Sequence, residues 1–368
     1  MHRVDADTLE QFAVTLIEAV GAPFETATQL AESLVRADVR DHGSHGLLQL
    51  ASYVERIETQ DWVDPTAEPT VERETDWSAL IDGQQNFGQI TGQKAVEVGV
   101  SKAQSTGVAS IGIRNGAHLG RIGEWAERAS EQGILFAAFV STTGTSRLWV
   151  APPGSAERRF STNPIAFGIP TFDAREFPIV LDMATSQVAV GKLRECDRKG
   201  IPIPPAWTVT DDGGYVTDPN AFFTDGDGAV RPLGGVETGH KGYGLAIVTE
   251  LIAGILADQP VSGQPGPELT TNIGWFLFID PTLFTTQAAI EARIEAFSAH
   301  LQSTSYSEEI GRGAAAREGD GLLPGEYEFQ SAQKRREHGV PIPDGTAQTL
   351  RNLAQRYECL DAVPTALQ

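Results

Sequence analysis

Four short segments hold the residues most able to do chemistry. The first is Asp41-His42-Gly43-Ser44-His45-Gly46, an imidazole beside a hydroxyl in a glycine-rich turn. Before it, Ala27, Leu30, Leu34 and Val35 have near-helical spacing and predict a helix over 26–40. After it, Leu47, Leu50, Val54 and Ile57 predict a second helix over 44–60. Gly43 suits the position past the first helix end, and Ser44 suits the N-cap of the second. His45 is then the first helical residue, where the positive end of the dipole disfavours an imidazolium. A ring tuned toward neutrality suits proton transfer to or from a substrate oxygen. The plain alternative is a surface histidine in a helix–helix turn.

The second segment, Asn115-Gly116-Ala117-His118-Leu119-Gly120, puts an imidazole in a strand-to-helix turn, where α/β proteins collect their sites. His118 is otherwise a capping or packing residue. The third is Leu181-Asp182-Met183-Ala184-Thr185-Ser186. An Asp ending an apolar strand is poorly placed for burial unless paired, and Thr185 and Ser186 are expected to offer helix-start N–H groups to a phosphate. An N-cap cluster explains them equally well. The fourth is Gly239-His240-Lys241-Gly242-Tyr243-Gly244. A cation at a helix N-terminus makes sense if an anion lies between it and the amides; otherwise this is a flexible, glycine-rich helix start.

The rest of the chain must position these segments. Asp5 or Asp7 is expected to cap a helix carrying Leu9, Phe12, Leu16, Ile17 and Val20, with Gly21 past its end. Residues 61–76 form a charged, proline-containing connector. A strand at 79–81, a helix at 88–104 and a strand at 108–113 follow, then a turn at Asn115-Gly116 and a helix at 119–132. The apolar run 134–140 predicts a buried strand. Strands ending at Pro170 and covering 178–181 come next, then a loop rich in Pro, Gly and Asp over 201–235. A helix at 239–257, a strand at 272–279, an amphipathic helix at 286–302 and a last helix at 344–356 complete the chain. The alternation points to an α/β fold with helices at both chain ends.

Composition narrows the field. The 368 residues are 40% hydrophobic, enough for a sizeable core. Acidic residues number 49 against 28 basic ones, a net charge of −21, and lysine occurs only at 94, 102, 192, 199, 241 and 334. Such a balance reads as adaptation to a salty cytoplasm, where salt screens self-repulsion. It argues against nucleic acid and anionic membrane as partners, which need basic surface. Cys196 and Cys359 form no metal-ligand spacing and no disulfide framework, as fits a reducing cytoplasm. Asp5, Asp7 and Glu10 interrupt any signal peptide. The most apolar run, 245–256, contains Glu250, falls short of the roughly 20 residues that span a bilayer, and reads as a buried core helix. No Gly-x-Gly-x-x-Gly follows a strand, no phosphate loop occurs, and no pair among the seven histidines has the spacing of a helical zinc site.

Six segments then occur in a telling order: Asp41–Gly46, Arg114–His118, Ser161-Thr162-Asn163-Pro164-Ile165-Ala166-Phe167-Gly168, Val180–Ser186, Gly239–Leu245 and Leu323-Pro324-Gly325-Glu326. Together they resemble the type-2 malate/L-lactate dehydrogenases, over nearly the whole chain. That family also holds ureidoglycolate, sulfolactate and 2,3-diketogulonate oxidoreductases and a cyclic-imine reductase. The resemblance implies a non-Rossmann nicotinamide-binding α/β fold with a mixed sheet. Residues 1–75 would pack with 305–368 as a helical part. A strand-helix-strand segment, 76–118, would be joined by a later segment, and 119–304 would bind the cofactor, NAD or NADP. It further implies a homodimer or higher oligomer with the active site near a subunit contact. His45 matches the family's acid/base, next to Ser44, and His118 a second active-site histidine. Asp182, also placed at the catalytic centre, belongs with Thr162, Asn163, Met183, Ala184, Thr185, Ser186, His240, Lys241, Gly325 and Glu326 along the cofactor.

The chain departs from the pattern once. Many members carry an Arg four residues after the Ser-His histidine, where it can grip a carboxylate bidentately. Here that residue is Gln49. Either Arg114, Arg121 or Arg147 supplies the missing charge, or the substrate is not simple malate or lactate. The expected reaction is hydride transfer between nicotinamide and a 2-oxo/2-hydroxy acid, with the proton on His45 or His118. The alternatives are reduction of a cyclic imino acid and a nicotinamide-binding paralogue without turnover.

Overall fold

A computed structural model describes residues 1–59, 62–143, 148–266, 271–307 and 321–368. The chain opens with strand β1 (His2–Val4) and helix α1 (Ala6–Ala19), where the Asp5 carboxylate accepts the Thr8 N–H at 2.9 Å. Helices α2 (Phe24–Val39) and α3 (Gln49–Glu58) follow. Next come β2 (Thr70–Glu74), β3 (Ser78–Asp82), α4 (Gly88–Thr106), β4 (Val108–Gly116), α5 (Ile122–Ser130) and β5 (Leu135–Thr142). Strands β6 (Ile165–Ile169) and β7 (Ile179–Met183) lead to α6 (Val190–Lys199) and the short pair β8 (Thr208–Val209) and β9 (Ala229–Val230). Helix α7 (Gly235–Ala257), strand β10 (Asn272–Ile279), helices α8 (Gln287–Gln302) and α9 (Glu326–His338), strand β11 (Val340–Ile342) and helix α10 (Asp344–Arg356) finish it.

Seven strands form one sheet in the order β2-β3-β4-β10-β5-β6-β7. Among the described residues of this sheet only β3 and β4 pair in parallel, so the sheet is mixed, as the resemblance implied. Helices α4 and α5 cover one face, where Ala95, Val100 and Trp125 meet Phe276 and Phe278. Side chains alternate along a strand, so Ile273 of β10 meets Ala253 and Ala257 of α7 on the other face. A second core joins the chain ends: Leu9, Phe12 and Leu34 pack with Val340, Leu350 and Val363. Strand β1 pairs with β11, tying the first residues to the last part of the chain.

Several boundaries differ from expectation, each for a local reason. The second helix starts at Gln49, because residues 43–45 form a separate 3-10 turn. The left-handed residue past α2 is Asp41 (φ 65°) rather than Gly43. The 61–76 connector contains β2, an exposed edge strand whose charged residues hid its pairing with β3. Strand β4 runs through the expected turn to Gly116, and α5 begins only at Ile122. Strand β5 is buried on one face, with Leu135, Ala137 and Phe139 only partly covered. Segment 245–256 is helical but not a core helix: Leu245, Ile247, Val248, Leu251, Ile255 and Leu256 are exposed in the single chain. Helix α9 and the β1–β11 pair were not foreseen.

Candidate active site

The turn that carries Ser44 and His45 is built around a buried carboxylate. Asp38, in the last turn of α2, accepts the Leu47 N–H at 2.9 Å and occupies the space a side chain on Gly46 would need. Gln49 closes the turn from α3, its amide Nε2 donating to the Ser44 carbonyl. The Ser44 hydroxyl lies 3.1 Å from His45 Nδ1. Burial, reinforced by the positive field of His42, Arg121 and Lys192, pushes the His45 pKa down to about 3. The ring is therefore neutral, as expected, but a helix dipole is not the cause: His45 ends a 3-10 turn and precedes α3.

His118 arrives from the opposite side, in the turn after β4. Its ring stacks on His45, with centroids 5.5 Å apart and planes 15° apart. Tyr53 of α3 places its Oη 2.9 Å from His118 Nδ1. The two histidines that sequence reasoning singled out thus form one pair.

A cavity of about 500 Å3 adjoins the pair without being lined by it. His42 and Arg121, each three residues from one of the paired histidines, line it with Glu127, Val180, Asp182 and Gly325. Asp182 accepts the Gly123 N–H at 2.7 Å, so it caps the first turn of α5. Burial raises its pKa, against the pull of Arg121, His42 and that N–H. Arg121 is almost fully buried. Its Nη2 lies 2.7 Å from Glu127, while its Nε has no hydrogen-bond partner among the described residues. Glu127 also takes Arg36 and Arg40; burial alone would raise its pKa, but Arg121, Arg40 and Arg36 hold it at about 2. The Pro324 carbonyl accepts the Val180 N–H at 3.0 Å, docking the Pro324-Gly325 turn on β7, and Glu326 folds back to accept the Leu323 N–H at 2.9 Å. Gly325 has φ 89° and stands 3.1 Å from backbone where a Cβ would project, so the turn needs glycine.

Other expected residues are placed differently. Arg114, expected as a carboxylate clamp, is already engaged: Glu72, Asp82 and Asp258 surround its guanidinium. Arg147 lies outside the described residues. Gln49 spends its amide on Ser44. Thr185 and Ser186 are not at a helix start, since α6 begins at Val190; the Thr185 N–H donates to the Thr162 carbonyl at 3.0 Å. Asn163 is fully buried, bonded to Ser141, Ala246 and Glu250. Met183 ends β7 and Ala184 follows it, beside Asp182. His240 and Lys241 are exposed on α7 and do not line the cavity.

Sequence reasoning missed Lys192. Gly191 packs so closely on Ser44 that a Cβ there would lie 2.9 Å from the Ser44 Cβ, which brings the start of α6 against the histidine turn. Lys192 is close enough to act on the charge of His45 and of Asp41, and its Nζ lies 3.2 Å from the half-buried Glu195. The signal was a Gly-Lys pair shortly after the Asp182–Ser186 segment. Asp38 was equally legible only through its contact with Gly46.

The mixed-sheet α/β fold thus brings together two stacked histidines and a buried arginine whose Nε has no hydrogen-bond partner among the described residues. The sequence profile of the malate/L-lactate dehydrogenases matches residues 4–351, and this chain belongs to that family. It is 31% identical to hydroxycarboxylate dehydrogenase B of Escherichia coli, over 96% of this chain and 94% of that one. A solved structure of malate dehydrogenase from Pyrococcus horikoshii superposes with a TM-score of 0.82 at 31% identity, covering 96% of this chain and 95% of the other. That of Δ1-piperideine-2-carboxylate reductase from Pseudomonas syringae superposes with a TM-score of 0.79 at 28% identity, covering 96% and 100%.

Proposed function

We propose that this protein transfers a hydride between NAD or NADP and C2 of a 2-oxo/2-hydroxy acid. The observation that carries the reading is the stacked His45–His118 pair beside the Arg121 cavity, in a chain of this family. The positive charge that the buried Arg121 brings to the cavity, with its Nε lacking a hydrogen-bond partner among the described residues, supports an anionic cofactor group there. Arg121, Asp182 to Ala184 and the Pro324–Glu326 turn would hold the cofactor. When bound, the nicotinamide gives or takes the hydride.

The chain's own residues manage the proton and the carboxylate. In oxidation the neutral His45 takes the hydroxyl proton; in reduction its imidazolium returns a proton to the oxygen. Its low pKa in the free protein means that it charges only when the substrate brings negative charge to it. Lys192 supplies the cation that Gln49 lacks. The experiment is a spectrophotometric screen of 2-oxo acids with NADH and with NADPH, at low and molar salt. Oxidation of either cofactor by a 2-oxo acid supports the reading, and binding of both without turnover overturns it.

A second reading has its own support in the likeness to the Δ1-piperideine-2-carboxylate reductase structure. The same donor would protonate an imine nitrogen as hydride reaches the adjacent carbon. Cyclic imino acids that consume NAD(P)H where 2-oxo acids do not would favour it.

The proposal extends to assembly and setting. Strand register puts Phe139, Phe167, Ile169 and Leu181 on the side of the sheet that faces α7. Phe167, Ile169 and Leu181 are exposed there, beside the exposed apolar residues of α7. So much apolar surface supports a homodimer formed through this side. The helical part would comprise 1–75 with 305–368, with β2 reaching from it into the main sheet, next to the 76–118 segment and a cofactor-binding part over 119–304. The net charge of −21 supports a salt-adapted cytoplasmic setting, testable by thermal melts in rising KCl.

A further inference from the structure

Behind His118 stands a chain of buried groups with no part in the reaction as given. Tyr53 is buried, with its Oη 2.9 Å from His118 Nδ1. Gln89, in the first turn of α4, is buried too, and its Nε2 donates to Tyr53 Oη at 2.9 Å. A phenol has one proton to give. With the Gln89 amide donating to Oη, the arrangement in which each of these groups donates once along the chain has the hydroxyl proton bridging to His118 Nδ1. Turning the amide round would reverse the chain. In the present orientation the unpaired atom is Gln89 Oε1. The reverse would leave the NH2 group without an acceptor, and orphaned buried N–H donors are rarer than under-satisfied carbonyl oxygens. Nδ1 therefore accepts, and a neutral ring carries its proton on Nε2.

We infer that Gln89 and Tyr53 are positioning residues that hold His118 as a neutral Nε2–H donor to the substrate oxygen, which leaves His45 to carry the transferred proton. This deepens the dehydrogenase reading and rests on it. Two imidazoles stacked 5.5 Å apart cannot both charge cheaply, and the division of roles removes the conflict. In reduction, the hydride adds to C2, the carbonyl π pair forms the O–H bond with the proton from His45, and His45 ends neutral. His118 gains and loses nothing: its N–H only stabilises the developing negative charge on oxygen.

The test is 15N NMR of the full-length protein labelled at histidine, with His118 assigned by comparison with His118→Gln. In the wild-type protein the Nε2 of His118 is protonated, and its unprotonated Nδ1 resonates upfield of a free ring nitrogen because it accepts a hydrogen bond. In Tyr53→Phe that Nδ1 signal moves downfield, with the Nε2 proton retained, and Gln89→Leu shifts it in the same direction by less. A protonated Nδ1 in the wild-type protein, or an Nδ1 signal unmoved in Tyr53→Phe, overturns the inference. No substrate is needed, so failure of every 2-oxo acid in the activity screen would sink the dehydrogenase reading alone. Where a substrate is found, Tyr53→Phe lowers kcat more than it raises KM; an effect on KM alone counts against the inference.

Discussion

The Asp38 carboxylate fills the place that any side chain on Gly46 would take, and accepts the Leu47 N–H one residue on. A helix-borne acid is thus the floor under the turn that presents His45. Burial pushes its pKa from 3.8 up to about 7, against the pull of Leu47 N–H and Arg335. A carboxyl raised on folding contributes fully below its unfolded pKa, and its contribution is lost as pH rises through the folded one. Between about pH 4 and 7, then, this group makes the fold progressively less stable.

Asp38→Asn keeps an acceptor for Leu47 without a charge to bury. Thermal melts are expected to show the variant gaining on the wild-type protein from pH 5 to pH 8. Parallel curves for the two proteins would place that pH dependence in other groups.

His45, with its pKa depressed to about 3, is expected to keep a neutral ring at pH 5, where an ordinary histidine is mostly charged. Histidine NMR resonances followed through a titration of the free protein check this. A midpoint near 6.5 would mean that the ring is far better solvated than its surroundings indicate. His45→Ala is expected to lower kcat by about 10²-fold or more, the usual scale for a lost general acid/base.

Lys192→Met is expected to lower kcat/KM for 2-oxo acids about tenfold or more, the scale of one charge-assisted contact of about 1.5–3 kcal/mol. Gln49→Arg introduces a second cation at the start of α3, four residues past the histidine, and is expected to favour dicarboxylates. Steady-state kinetics over a panel of mono- and dicarboxylic acids measures both. An unchanged KM in Lys192→Met would assign the carboxylate to another group.

Much of this site was legible as sequence because it is made of consecutive residues. Ser44-His45, Asn115–His118 and Asp182–Ser186 could be read as segments, and the fold stacks the His118 ring, in the turn after β4, on His45 of the 43–45 turn. What remained hidden was the use to which neighbours put the same side chains. Arg114 looked available until β2 and the end of α7 supplied Glu72 and Asp258. Lys192 looked like one more surface charge until Gly191 proved to abut Ser44. Segment 245–256 is apolar nearly all round, a pattern that implies burial but does not say whether this chain or a second copy provides it.

Helix α7 and the outer face of β6 and β7 bear on that last point. Light scattering is expected to give at least twice the chain mass of 39.5 kDa. Val248→Asp combined with Ile255→Asp, two exposed positions on α7, is expected to give a single-chain species with its circular dichroism retained. A wild-type protein of single-chain mass would leave the apolar side without its proposed partner.

Strand β10 lies between β4 and β5, yet follows both by more than a hundred positions along the chain. During synthesis the two halves of the sheet emerge first, each with one raw edge, and wait for the strand that bridges them. Exposed edges of that kind invite pairing with the wrong chain. The gap stays open until the last quarter of the chain is made, and truncations before residue 272 should yield aggregates rather than a smaller working enzyme.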